Sequence, residues 1–365
     1  MINNNHHSSK KKVAILIEQG VEDLEFIIPC NGLKQAGMEV VVLGSRMNEK
    51  YKGKRGKLSV QADGTTTEAM VDEFAAVVIP GGMAPDQMRR NCNTVCFVRE
   101  AMKQGKLIAA VCHGPQVLIE GDLLKGKQVT GFTAIRKDIT NAGGNYLDEP
   151  VVVDGNLITS REPGDLAIFT TAILNRLGYG GKDANLPDEK DTSAEWWKLA
   201  DAWGGSTKND IVKGLNTALG GERYSLEALE KYLEKESDQE VKNLFQDMIS
   251  NKQHHIQKLE TYLHRLHEKP SFAANIANQY AKVQSALSGS DDIYQIRCAL
   301  GDVQTGIGDI SNLSAMYTDP VATAIFKEIH NDLGKYEQRL VELYRSRIAA
   351  DIKPPKPTSS AAVTM

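Results

Sequence analysis

Continuous apolar runs recur through the first half of the chain. "VAILIE" (13–18), "EVVVLG" (39–44), "AAVVIPGG" (75–82) and "KLIAAVC" (106–112) are each bounded by polar or turn residues. Runs without alternation predict strands buried on both faces of a parallel sheet. Between the first two lies a segment, 23–36, with Leu24, Ile27, Ile28 and Leu33 on one face and Gly37 behind it. That spacing predicts an amphipathic helix, and helices between parallel strands imply right-handed crossovers. "PVVVDGNLITS" (150–160) differs, because two short runs flank Asp154–Gly155, a hairpin turn signature. A last helix is expected at about 164–177. The predicted fold class is doubly wound α/β with a mostly parallel, flavodoxin-like sheet, over roughly residues 10–180.

The second half follows another period. Residues 181–206 are polar and turn-rich and read as a linker, although Trp196, Trp197 and Trp203 suggest docking onto an apolar surface. Spacings of three and four then take over. Leu226, Leu229, Tyr232 and Leu233 form one stripe, and Val241, Leu244, Phe245, Met248, Ile249, Ile256, Leu259 and Leu263 a longer one. Val321, Ile325, Ile329, Leu333, Tyr336, Leu340 and Leu343 form a third, with a helical region at 272–317 interrupted by "SGSDD" (288–292). Amphipathic helices with short connections predict an antiparallel bundle. The expected organisation is a tail (1–11), an α/β domain (12–180), a linker (181–206), a helical bundle (207–348) and a Pro- and Ser-rich tail (349–365).

Composition narrows the partners. A chain of 365 residues exceeds one ordinary core, and 41% hydrophobic with 25% charged residues is a globular balance. A formal net charge of −4 gives no reason to expect nucleic acid, and no apolar run reaches membrane-spanning length. The start, "MINNNHHSSKKK", has no apolar core of a secretory signal. The five cysteines, Cys30, Cys92, Cys96, Cys112 and Cys298, include no CxxC pair, so neither a disulfide framework nor a zinc ribbon is expected. Free thiols and the absent signal predict the cytoplasm.

Chemistry gathers where "AAVCHGPQ" (109–116) turns from strand to helix. Ligands bind at the carboxyl ends of strands in open α/β sheets, and Cys112 stands at one. A nucleophile on so tight a turn projects its side chain while following N–H groups face the same spot. The helix start behind Cys112 is expected to favour thiolate. A buried cysteine ending a strand is also a common apolar filler. Two other strand ends favour chemistry: "IEQGVEDLE" (17–25) brings Glu22 and Asp23, and "IPGGMAPD" (79–86) brings Gly81 and Gly82, whose N–H groups can form an oxyanion hole.

The motifs "GVEDLE", "VVIPGGMAPDQMR", "AAVCHGPQVLI", "GKQVTGF", "DITNAGG" and "VVVDGNLITSREPGDL" occur in that order over residues 12–178. In them the first half resembles the PfpI family of intracellular proteases and deglycases, within the class I glutamine amidotransferase-like superfamily. The resemblance implies a cysteine nucleophile at Cys112, its histidine at His113, a glutamate at Glu22 that hydrogen-bonds the sulfur, and a histidine-orienting acid at Asp86 from a neighbouring subunit. It implies an oxyanion hole from Gly82 and His113, no cofactor, a homodimer or larger homo-oligomer, and small carbonyl compounds or glycated proteins and peptides as substrates. Glu22 is expected to be protonated, with Cys112 pointing at it and His113 pointing away toward the neighbouring subunit. The alternative is a redox-responsive stress or adaptor protein with little turnover.

The second half resembles ferritin-like bundles in its helix pattern. Di-iron bundles carry Glu-x-x-His on two helices. Here His254 and His255 follow Asn251 and Lys252 at that spacing, and His330 follows Lys327. No metal is therefore expected, the histidines are expected on an exposed surface, and Glu222, Glu227 and Glu230 on a solvated face.

Overall fold

A computed structural model describes residues 11–179, 186–271 and 292–348. The terminal tails expected at 1–11 and 349–365, apart from Lys11, and the expected helical region from 272 to 291 with most of its interruption at 288–292, lie outside the described residues. The chain divides into two compact units. One runs to Thr207 and includes Thr318–Pro320; the other holds 208–317 and continues from Val321.

The first unit is built on a seven-stranded sheet. Its strands are β1 (Lys12–Leu16), β2 (Glu39–Gly44), β5 (Gly64–Thr65), β6 (Ala76–Ile79), β7 (Leu107–Val111), β10 (Val151–Asp154) and β11 (Leu157–Ser160), in the order β10-β11-β7-β6-β1-β2-β5. β1 pairs in parallel with β2 on one side and β6 on the other, β6 with β7, and β7 with β11. Only β10 runs antiparallel, with Val151 opposite Ser160 and Asp154 opposite Leu157 across the Asp154–Gly155 turn. The continuous apolar runs have the predicted cause. Every residue of β6 and β7 is buried, from Ala76 to Ile79 and from Leu107 to Val111. Each such branched aliphatic side chain contributes about 1.5–3 kcal/mol relative to exposure.

Helices α1 (Asp23–Gln35), α2 (Ala84–Met88), α3 (Cys92–Lys103), α4 (Pro115–Glu120), α5 (Arg136–Asn141) and α6 (Leu166–Arg176) connect the strands. A hairpin of β3 (Lys50–Lys52) and β4 (Ser59–Gln61) precedes β5, and a short parallel pair joins β8 (Gln128–Val129) to β9 (Asn145–Tyr146). Within 186–206 a helix, α7 (Trp196–Ala202), packs on α6, and Trp196 and Trp203 are buried in this unit's core. After β1 the chain moves outward to β2 and β5, then returns to β6 on β1's other flank. This reversal is a topological switch point, where such sheets open a crevice at their carboxyl ends.

The second unit contains α8 (Lys208–Lys235), α9 (Gln239–Arg265), α10 (Asp292–Met316) and α11 (Pro320–Arg347). Its apolar stripes face inward: Leu229, Val241, Phe245, Leu259, Phe326 and Leu340 are all buried. The first stripe begins earlier than the spacing suggested, with Ile211, Leu215 and Leu219 also buried. No helix among the described residues is long and apolar enough to cross a membrane.

Candidate active site

Three loops meet at the carboxyl ends of β1, β6 and β7. Val21, after β1, bridges Gly82 on one side and Gly53 on the other. Cys112 follows β7 directly and adopts φ +60°, a left-handed conformation that costs a side-chain-bearing residue of order 1–3 kcal/mol. The turn is held by Cys112 N–H donating to Ser160 O (3.0 Å) and Phe132 N–H donating to Cys112 O (2.9 Å). Gly114 completes it, because a Cβ there would sit 2.4 Å from Ile79 O. Gly81 is required by the site itself: its Cβ would meet a Glu25 oxygen at 2.5 Å and the Cys112 Cβ at 2.8 Å.

Around the sulfur the arrangement departs from expectation in four ways. First, Glu25, not Glu22, is the carboxyl beside the thiol. Glu22 instead caps α1: Oε2 accepts from Leu24 N–H (2.8 Å) and Glu25 N–H (3.0 Å), while Oε1 accepts from Arg55 Nε (2.9 Å). One helical turn on, Glu25 Oε2 accepts from Gly81 N–H at 2.7 Å. Its Oε1 is buried without a hydrogen-bond partner, and the carboxyl interacts with the Cys112 thiol. Burial, reinforced by the neighbouring Glu22 charge, raises Glu25 to about 8, so it is a carboxylic acid at neutral pH.

Second, Cys112 and His113 touch, with Sγ and Nδ1 3.3 Å apart, instead of pointing apart. The His113 ring also stacks on Phe132, centroids 5.1 Å apart. Burial, with Lys54 adding to it, lowers the His113 pKa, which leaves a neutral imidazole. Third, the thiol is not poised as thiolate. Burial and the adjacent Glu25 raise it, against smaller opposing effects of Lys54 and the Gly82 N–H. The helix behind Cys112 has only six residues, too little to outweigh removal from water. Fourth, Gly81 N–H is engaged by Glu25, so of the two glycines it is Gly82 whose N–H faces the sulfur. Asp86 lies on the surface, paired at 2.8 Å with Arg89, which caps the end of the same helix.

Residues 11–176 match the DJ-1/PfpI family. Protein/nucleic acid deglycase 2 of Escherichia coli K12 is 40% identical over 168 residues, 46% of this chain and 98% of that protein. Deglycase PfpI of Pyrococcus furiosus is 44% identical over 155 residues, 42% of this chain and 92% of that one. The chain belongs to the DJ-1/PfpI family. A solved two-domain protein of Anabaena variabilis, with DJ-1/ThiJ/PfpI-like and ferritin-like domains, is 81% identical. It covers 96% of this chain and all (100%) of its own, with a TM-score of 0.91. A ferritin-like helical domain therefore follows the DJ-1/PfpI domain here.

In that ferritin-like unit two expectations fail. Glu222 and His255 are buried, not solvated, at 5% and 1% exposure. His255 Nδ1 lies 2.9 Å from Glu222 and Nε2 lies 3.2 Å from Asp332. Glu227 and Glu230 do stay at the surface, partly and fully exposed, and so does His254. His255, Glu328 and Asp332 each bring one potential metal-ligand atom within 4.8 Å of the others. The set does not fit a di-iron centre, because Lys252 holds the position of the Glu in Glu-x-x-His. Its ammonium, itself buried, lies 2.7 Å from Glu222 and already neutralises that carboxylate.

Sequence reasoning missed Glu25, Phe132 and the 53–58 loop. Glu25 closes "GVEDLE", three residues beyond Glu22, and the motif by itself does not say which of the two acids faces the sulfur. Gly53 and Gly56 in "KYKGKRGKL" were the unread signal of the hairpin.

Proposed function

We propose that this protein is a cysteine-dependent enzyme acting on small carbonyl compounds and early carbonyl adducts of proteins, in the manner the names of its deglycase relatives imply. In this reading Cys112 Sγ adds to an electrophilic carbonyl carbon while its proton passes to Nδ1 of neutral His113. The oxygen that becomes anionic is met by N–H groups of the Gly82 and His113 turn, then takes the proton back from His113 to give a hemithioacetal. Glu25, protonated, holds the sulfur by donating to it. With methylglyoxal, transfer of a proton between the two carbonyl-derived carbons gives a thioester of lactate. Water then releases lactate and the free thiol, so one water is consumed and no redox partner is needed. Asp86 from a second copy of the chain orients His113 in this scheme, which makes the working unit a homo-oligomer. A site for small carbonyls favours deglycase or glyoxalase chemistry over hydrolysis of extended peptides.

The observation that carries this reading is the contact of Cys112 with a neutral histidine and a protonated carboxyl on a strained turn. An oxidation sensor calls for an accessible, low-pKa thiolate, whereas this sulfur's residue is 6% exposed and its thiol is raised. The test is methylglyoxal consumption and lactate release by wild type and Cys112→Ser. The variant is expected to lose at least about 10³-fold in kcat/KM with an unchanged circular dichroism spectrum. Equal turnover by the two proteins would sink the proposal.

A further inference from the structure

The mechanism leaves one charged group at the site without a task. The loop between β3 and β4 is strapped onto the active-site turns by contacts from two carboxylates and three backbone segments. Asp23, fully buried, accepts from Arg55 N–H (2.9 Å) and Leu58 N–H (2.7 Å), and Glu22 accepts from Arg55 Nε (2.9 Å). Lys54 N–H donates to Val21 O (2.9 Å), Gly20 N–H donates to Lys52 O (2.9 Å), and Gly53 pairs with Val21. Val21 in turn bridges Gly82, whose N–H faces the Cys112 sulfur. Gly53 allows the strap to lie this close, since a Cβ there would strike the Asp23 carboxyl at 2.4 Å.

The outcome is a cation carried on an anchored loop. Arg55 is consumed as an anchor in the buried pair with Glu22. Lys54 is exposed and takes part in no ion pair among the described residues, and its backbone is held against Val21, which bridges Gly82 beside the Cys112 turn. Its positive charge favours the deprotonated form of Cys112, Glu25 and His113 alike. The other charged side chains around it are already engaged: Glu22 is paired with Arg55, and Asp23 accepts two backbone N–H groups. Lys54 is thus a cation on this loop whose ammonium is left for an incoming anion.

We propose that Lys54 is a specificity-determining residue, which selects carbonyl compounds that carry a carboxylate beside the reacting carbonyl. The inference rests on the carbonyl-addition reading above, and names its substrate class: α-oxo acids and adducts with the same anionic edge. A lysine suits this role as a mobile point charge that needs no fixed bidentate geometry.

The test compares glyoxylate with neutral glyoxal. Binding of each is measured by calorimetry to wild type, Lys54→Met, Lys54→Glu and the control Lys57→Met. Lys57 lies on the same loop and is also exposed, two residues beyond the Arg55 anchor. Lys54→Met is expected to lower the preference for glyoxylate over glyoxal by about 10-fold, or about 1.4 kcal/mol. Lys54→Glu should lower it further, and Lys57→Met should leave it unchanged. Added salt should weaken glyoxylate binding in wild type more than in Lys54→Met. An unchanged preference in Lys54→Met, or no glyoxylate binding to wild type, overturns the inference. Because the readout is binding, absent methylglyoxal turnover with Lys54-dependent glyoxylate binding would defeat the proposed catalysis and leave the anion site standing.

Discussion

Both units bury carboxylates, and they treat them in opposite ways. In the DJ-1/PfpI unit, Glu22 and Asp23 accept backbone N–H groups at loop and helix starts, and Glu25 is left facing a sulfur. No cation pairs directly with Glu25 among the described ion pairs, so burial drives it toward its neutral form. In the ferritin-like unit, burial would raise Glu222 too, but the Lys252 charge and the His255 hydrogen bond outweigh it and lower the pKa. The first arrangement keeps a proton available beside a nucleophile. The second closes charge on charge and serves the fold. Burial of an acid therefore does not mark chemistry by itself; what faces it does.

The largest expected effect breaks the closed cluster. Lys252→Met strands Glu222 in the bundle and should destabilise the ferritin-like unit by about 3–5 kcal/mol. Urea unfolding followed by far-ultraviolet circular dichroism measures it, and the Lys252→Met/Glu222→Gln double variant should recover most of the loss. A loss below about 1 kcal/mol would mean that the pair contributes no more than a surface one.

Next comes the sign of the pH dependence, which should differ between units. For Glu25 the folded pKa is raised from 4.5 to about 8, so its stabilisation is full below 4.5 and lost as pH rises toward 8. The linkage amounts to roughly 3 kcal/mol at pH 7, and Glu25→Gln should regain up to that amount. Glu222 and Asp332 are lowered, so their stabilisation is present above the ordinary carboxyl range and lost as pH falls from that range through the lowered values. All three tryptophans, Trp196, Trp197 and Trp203, lie in the first unit, so their fluorescence reports its unfolding. Slopes of the same sign in both units would contradict the comparison.

Two smaller effects sharpen the site. Glu22→Gln should cost about 1–2 kcal/mol as a weakened cap and lost Arg55 partner. Phe132→Leu should remove ring stacking on His113 worth about 0.5–1.5 kcal/mol, or about 2–13-fold in kcat/KM. Steady-state kinetics beside thermal melts separate the two, since the first acts on stability and the second on turnover.

The sheet was legible because buried parallel strands write uninterrupted apolar runs, and the hairpin because Asp154–Gly155 is a turn that few other sequences make. Cys112 was legible from its place at a strand end. Glu25 was not, because choosing between Glu22 and Glu25 requires the rotation of α1 about its axis, which its N-cap sets. The bundle cluster failed for a related reason. Glu222, Lys252 and His255 are polar residues pointing inward, and a hydrophobic stripe alone does not reveal which polar neighbours share its face.

The central claim is that Glu25, as a neutral acid, serves the sulfur, and that Glu22 does not. The pH–rate profile of kcat/KM for methylglyoxal tests it in wild type, Glu25→Gln and Glu22→Gln. Wild type should lose activity as pH rises through about 8, where Glu25 gives up its proton, and Glu22→Gln should keep that fall but at lower pH, because the Glu22 charge helps to raise Glu25. In Glu25→Gln that fall should disappear. A fall near 8 that persists in Glu25→Gln, or that vanishes in Glu22→Gln instead, would contradict the account.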